Sequence, residues 1–225
     1  MHKPVVAAMG VWYLCAMERL QNDSGWRGSP DVWLEAAYAS LLESGVDSVR
    51  ILPLAKKLTL SRTSFYWFFK DREELLGALV ARWRDKNTGN LVRRSEAYAE
   101  TVAEAMLNVF DCWIDPALFD AKFEFAIRSW ALQSAETLAE VQEADQLRIS
   151  ALTKMLHRFG EDEARADVRA RTVYLVQIGY ISMQSQEDLA VRMKRIPEYV
   201  EIFTGRSPEN RELDRFYSRH GYVPG

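Results

Sequence analysis

Apolar residues recur along this chain at intervals of three and four. Val32, Ala36, Ala39 and Leu42 (or Leu41) form a first set, and Leu76, Leu79, Val80 and Trp83 a second, which Asn87 continues. Val102, Met106, Val109, Phe110 and Trp113 follow, then Phe119, Phe123, Ile127 and Trp130. That spacing gathers each set on one side of an α-helix. Asp31 is placed to cap the first helix and Gly45 to end it, while the acids of Asp71-Arg72-Glu73-Glu74 suit the positive end of a long one. Asp115-Pro116, Gly160, Gly205 and Ser207-Pro208 punctuate the rest into helices over about 98–114, 117–134, 137–159, 162–184, 187–204 and 208–219. No segment alternates with a period of two, and there is no βαβ unit, Gly-rich phosphate loop or internal repeat. The pattern predicts an all-α protein.

The stretch Ser48 to Leu76 departs from this regularity. A short apolar-periodic helix carries Leu54, Ala55 and Leu58, with Pro53 in its first turn, where a missing N–H is tolerated. Thr59-Leu60-Ser61 breaks it. A second short helix, Arg62 to Phe69, bears two hydroxyls, one arginine and the aromatic run Phe65 to Phe69. Two short helices with a tight turn between them predict a helix-turn-helix, whose second helix lies in a DNA major groove. Charge changes the picture further. Residues 50–72 carry six basic side chains (Arg50, Lys56, Lys57, Arg62, Lys70, Arg72) against the single acid Asp71, in a chain of net charge −3. A cationic island on an acidic body is what phosphate contact requires, because each neutralised phosphate releases counterions.

Composition excludes several other classes. A hydrophobic content of 48% describes an ordered globular chain. Cys15 and Cys112 lie far apart with no CxxC, and His2, His157 and His220 share no ligand spacing, so neither a disulfide framework nor a metal site is expected. No cofactor motif, nucleophile–base pair or carboxylate dyad stands out, which argues against an enzyme. No apolar run reaches the ~18–20 residues of a membrane span. Pro4 to Met17 is mostly apolar but lacks a signal-peptide cleavage site, and residues 1–28, turn-rich from Gln21 to Pro30, read as an extension or arm of a cytoplasmic protein. Arg27 in that arm is a weak candidate for the minor groove.

Leu54-Ala55, Leu60-Ser61, Phe65-Tyr66-Trp67-Phe68-Phe69 and Arg72-Glu73-Glu74-Leu75 together resemble the signature of the tetracycline-repressor (TetR) family over about residues 31–80. That signature runs Ile-Ala, a Gly-Val-Ser turn, a Leu-Tyr-x-x-Phe recognition helix and a Lys-Glu-x-Leu start to the next helix. This chain has Thr59 where the family has glycine in the turn, Arg50 where it has a capping serine or threonine, and Arg72 for lysine. A positive φ at Thr59 predicts a cost of about 1–2 kcal/mol, and Ser48 is a candidate to cap the first helix of the motif. The resemblance implies a three-helix DNA-binding domain at residues 29–76 and a larger helical ligand-binding and dimerisation domain at 77–225. It implies a dimeric regulator, most often a repressor, that leaves its double-stranded operator when a small ligand binds.

Phe65 and Phe69, four apart, are expected inward on Leu54 and Leu58. Arg62, Thr63, Ser64, Trp67 and Phe68 are the candidates for base edges and thymine methyls. Arg50, Lys56, Lys70 and Arg72 are candidates for phosphate, and the resemblance adds the Tyr66 hydroxyl. For an effector pocket the candidates are Trp83, Asn87, Phe110, Trp113, Trp130, Tyr174 and Gln177, a set that favours a mostly apolar ligand. Arg128, four after Glu124, is expected in a surface ion pair. Val173 to Met183 is apolar nearly all round, which predicts cover on two sides. One side is the core and the other a second subunit, at Val176, Gly179, Tyr180, Ile181 and Met183. The competing reading is a ligand-independent helical DNA-binding protein acting in nucleoid organisation or through a protein partner.

Overall fold

The computed structural model describes residues 28–224. The arm, with Arg27, Cys15 and the apolar stretch from Pro4 to Met17, lies outside them. The described residues form helices and no strand. In order they are α1 (Pro30–Ser44), α2 (Ile51–Leu58), α3 (Arg62–Phe65), α4 (Arg72–Trp83), α5 (Asn90–Glu96), α6 (Val102–Ile114), α7 (Ala121–Ala131), α8 (Ala135–Arg158), α9 (Glu163–Ser182), α10 (Leu189–Thr204) and α11 (Asn210–Arg219).

Side chains close most of the helix N-termini. Thr101, Asp120, Ser134, Asp162 and Asp188 each accept a hydrogen bond from the first turn that follows, satisfying donors the helix itself leaves unpaired. Glu209 and Glu212 form a reciprocal capping box on α11. The cap of α1 is Ser29, whose Oγ accepts from the Val32 N–H at 3.3 Å, with Pro30 in the first turn. Asp31 therefore sits inside the helix rather than capping it. Gly45, at φ 76°, ends α1 as expected.

Two apolar cores result. One joins α1 to α4 with Phe123, Ile127 and Ala131 of α7 and Val141 and Ala144 of α8. The other joins α5, α6, the far half of α8, α9, α10 and α11. Cys112 lies in the second core, where burial pushes its thiol pKa up to about 12 and leaves it inert. The long helix expected from Asp71 is not regular throughout. Arg84–Gly89 winds as a π-helix between α4 and α5. The wider turn carries the buried Asn87 and Thr88, a local device no periodicity announces.

Those two side chains meet a buried ionic cluster between the cores. Glu124 and Arg148 are both fully buried. Glu124 Oε1 accepts from Arg148 Nη1 at 2.7 Å and Arg128 Nε at 2.9 Å. Its Oε2 accepts from Trp83 Nε1 at 2.7 Å, Asn87 Nδ2 at 2.9 Å and Arg148 Nη2 at 3.1 Å. Arg148 also donates from Nε to Thr88 and from Nη1 to the Tyr174 hydroxyl, each at 2.9 Å. Tyr174 donates to Asp145 at 2.5 Å, and Arg128 pairs with the same carboxylate. Burial opposes charge on Glu124, but Arg148 and Arg128 outweigh it and hold the carboxyl below its ordinary value. Arg128 is thus part of an interior cluster, not a surface pair, because Asp145 and Tyr174 close over it.

Removing one member leaves its partner charged and dry, which costs about 3–5 kcal/mol. Glu124→Gln is expected to lower unfolding stability by that amount in urea titration at neutral pH. The depressed native pKa of Glu124 means its contribution is complete above the unfolded value of about 4.3. It is lost as pH falls through the native value. The stability gap between parent and variant should therefore narrow in acid, and a gap independent of pH would remove Glu124 from this role.

Candidate nucleic-acid interface

The helix-turn-helix forms as the sequence predicts, with its second helix shorter. Leu54 and Ala55 of α2 are buried against Trp33 and Leu41 of α1 and against Phe65. The α2 C-terminus closes through Thr59 in the left-handed region, φ 56° and ψ 34°, with the Leu60 N–H donating to Ala55 O at 2.9 Å. Ser61 then caps α3, its Oγ accepting from the Ser64 N–H at 3.2 Å. Regular helix stops at Phe65, and Tyr66 to Phe68 continue as turn. Phe65 and Phe69 point inward and stack, ring centroids 5.5 Å apart, with Trp33 edge-on to Phe65 at 5.3 Å. Their burial fixes the opposite face outward.

On that outer face stand Arg62, Thr63, Tyr66 and Trp67, all exposed, with Trp67 at 63% and Tyr66 at 46%. Arg62 donates to the Tyr66 hydroxyl at 2.9 Å and lies 5.6 Å from its ring centroid, so the two present as one unit. Phe68 is half-buried and packs on the N-terminal core. Ser64 is buried, its hydroxyl 2.9 Å from that of Ser61, and Thr63 alone of the pair faces out. Lys56, Lys57 and Lys70 are exposed, Lys57 lying 3.7 Å from Glu43.

The two remaining cations are tied into the scaffold. Arg72 donates from Nε to Val49 O at 2.6 Å and from Nη2 to Val46 O at 2.9 Å, so it clamps the short turn before α2 to the start of α4. Arg50 occupies the N-cap position of α2 and donates to Asp47 O at 2.8 Å. Ser48 does not cap α2, since its hydroxyl is taken by Ser40 and Gly45 at the end of α1. Asp71 caps α4 through the Glu74 N–H at 2.9 Å, and Glu74 returns a bond to the Lys70 N–H.

The expected effector residues divide among four places. Trp83, Asn87 and Tyr174 belong to the cluster around Glu124 and Arg148, with their polar atoms engaged. Phe110 is packed between Trp113 and Phe203 in the second core. Trp130 is half-buried beside a separate cleft between α4 and α8. Only Trp113 and Gln177 line the cavity described below. Sequence reading gave Arg148 and Tyr38 no role; a charged residue at a helical core position, four after Ala144, was the available signal for the first. Among the described residues no group of acids, cysteines and histidines is placed to hold a metal, and no helix is long and apolar enough to cross a membrane.

Residues 34–79 match the family described as bacterial regulatory proteins, tetR family. No curated protein matches the chain. The fold is similar to a solved transcriptional regulator from Rhodococcus sp. Rha1 (18% identity, 88% of this chain and 100% of that one, TM-score 0.53). It is also similar to AmtR of Mycobacterium smegmatis (17% identity, 91% and 99%, TM-score 0.54). At these identities the likeness speaks to the fold.

The left-handed Thr59 carries a strain that glycine would relieve, partly offset by glycine's freer unfolded chain. Thr59→Gly is expected to be about 0.5–1 kcal/mol more stable by urea unfolding, with unchanged helicity by circular dichroism.

Proposed function

We infer that this chain, whose residues 34–79 belong to the tetR family of bacterial regulatory proteins, is a dimeric transcriptional repressor that a small effector releases from operator DNA. Residues 29–76 are its reading head, and residues 77–225 hold the effector and the partner copy. The observation that carries the DNA part is the outward set Arg62, Thr63, Tyr66 and Trp67, standing on α3 and the turn that continues it, whose other side is buried, and flanked by exposed Lys56 and Lys70. Arg62 reads guanine, Thr63 and Trp67 touch base edges or thymine methyls, and Ser64 and Phe68 support that face from beneath. Tyr66, Lys56 and Lys70 meet phosphate, and Arg50 and Arg72 do so with the donors their carbonyl bonds leave over.

Exposed apolar side chains support the dimer. Val168, Leu175 and Met183 stand exposed on and just after α9, and Leu189 and Val191 at the start of α10. A side chain built on Gly179 would meet nothing within 4 Å, so this part of α9 is open to a close neighbour. Val176, Tyr180 and Ile181 are half-buried along the same helix. A two-fold pair sets two reading heads about one helical turn of DNA apart, or a multiple of it.

Selection of bound duplexes from a random pool, read at two salt concentrations, tests the proposal and should return a two-fold symmetric site. Arg62→Ala is expected to weaken that site by about 1–3 kcal/mol and relax its sequence. Lys70→Ala should weaken all duplexes alike and reduce the salt slope by about one. Full affinity in both variants would place the reading helix elsewhere. Leu175→Arg should yield monomers by light scattering, and an unchanged mass would move the interface off α9.

A further inference from the structure

A cavity of about 520 Å³ opens between Leu42 at the end of α1, the N-terminal half of α7, and α9 with the segment after it. Trp113, Phe119, Phe125 and Ile181 make much of its wall apolar. Its charged groups are Arg192 and Lys122, both cationic, and the other polar side chains of the wall, Gln177, Tyr180, Gln184, Ser185 and Gln186, are neutral. Arg192 of α10 lines it, its Nη2 3.2 Å from Gln177 Oε1 and its guanidinium 5.8 Å from the Tyr180 ring centroid. Gln177 is itself buried. Lys122 stands at the rim.

Arg192 is half-buried and differs from the two arginines of the interior cluster. Arg148 lies on Glu124, and Arg128 on Glu124 and Asp145. Among the described residues no carboxylate lies within 4.0 Å of Arg192 or Lys122; the nearby Glu187 is taken by Arg195. Desolvation holds the Arg192 pKa below its ordinary value. A guanidinium drawn partly out of water with only an amide oxygen and a ring face for company lacks the partner its charge calls for. Its planar fork matches a carboxylate or a phosphate bidentately, and the two cations beside an apolar wall suit the less strongly hydrated, singly charged carboxylate.

We propose that this cavity binds an organic acid: a carboxylate held by Arg192, with Lys122 near it, on an aromatic or aliphatic body that lies against Trp113 and Phe119. The cavity volume suits a ligand of about 10 to 20 heavy atoms. The inference rests on the regulator reading only in taking this cavity as the effector site. It replaces the mostly apolar ligand expected from sequence with an amphiphilic anion.

The position also explains how such an acid would be felt by the reading head. Leu42 belongs to α1, and the cavity wall at Ala121 and Lys122 is the first turn of α7. Asp120, which caps that turn, accepts from the Tyr38 hydroxyl of α1 at 2.5 Å. An anion that draws Lys122 and Arg192 together would load a turn to which α1 is hydrogen-bonded through Tyr38.

Calorimetric titration of the full chain, without DNA, tests the proposal with naphthalene-2-carboxylate and decanoate against 2-naphthol and decanol. Each acid should bind at least about tenfold tighter than its alcohol. Arg192→Met should erase the difference and Arg192→Lys keep part of it, with helicity checked in each. Equal binding of acid and alcohol by the parent chain would overturn the assignment, whatever the variants do. So would no binding of either acid up to about 1 mM. Because no DNA is present, these outcomes are independent of whether the selection experiment finds an operator.

Discussion

The carboxylate of Glu124 holds the described residues together from the inside. Five donors converge on its two oxygens, from Trp83 on α4, Asn87 in the π turn, Arg128 on α7 and Arg148 on α8. A buried ion pair is weak evidence for net stability, since desolvation of both ions offsets much of their attraction. Its consequence is geometric. Apolar faces would tolerate sliding of α7 on α8 by a fraction of a turn, but a carboxylate with every lone pair engaged does not. The π turn at Arg84–Gly89 exists in the same frame: regular winding would carry Asn87 and Thr88 past the positions from which they reach Glu124 and Arg148.

That rigidity bears on the reading head because the two apolar cores are not separated by a linker. The N-terminal core runs through Trp83 and includes residues of α7 and α8. Tyr38 of α1 bonds to Asp120, Asp120 exchanges bonds with Asn87, and Asn87 bonds to Glu124. From Glu124 the chain of contacts passes through Arg148 to Tyr174 on α9. A continuous path of this kind is a physical route between sites. It becomes a signal only if the path has two arrangements that a ligand can tell apart.

Much of this was legible in the sequence, and the reasons differ by element. Periodic stripes announced α1, α2, α4, α6 and α7, because burial of one face leaves a mark at three and four residues, but not the break that sets α5 apart from α4. The strain at Thr59, whose φ is indeed 56°, was legible through the resemblance, which has glycine at that place in the turn. Buried polar partners were not. Glu124 and Arg128 are spaced as an ordinary i,i+4 surface pair, and nothing local reveals that Arg148, 24 residues on, brings the pair indoors. For the same reason Trp83, Asn87 and Tyr174 looked like pocket residues: aromatic and amide groups on an apolar stripe serve a cavity or a hydrogen-bond network equally well. Ser64 and Phe68 looked outward because α3 was expected to run to Phe69, and the helix stops at Phe65.

The division of labour among the arginines ties these threads together. Arg72 and Arg50 spend donors on backbone carbonyls and shape the turn around α2. Arg128 and Arg148 neutralise interior acids. Arg62 is exposed, joined to Tyr66, and free of any acid within 4.0 Å among the described residues, so its charge is available to an external anion. Arg192 shares that freedom from acids but sits in a cavity rather than on a surface. A guanidinium in water loses little by lacking a carboxylate, whereas one partly desolvated loses a great deal. The two therefore call for different partners: a hydrated polyanion that neutralises many charges at once for Arg62, and a single enclosed carboxylate for Arg192. An acid bound at Arg192 would gain most in whichever arrangement of α7 and α10 closes around it. If that arrangement is not the one in which α1 sets α3 for DNA, the difference in affinity between the two limits how far the acid can shift the equilibrium.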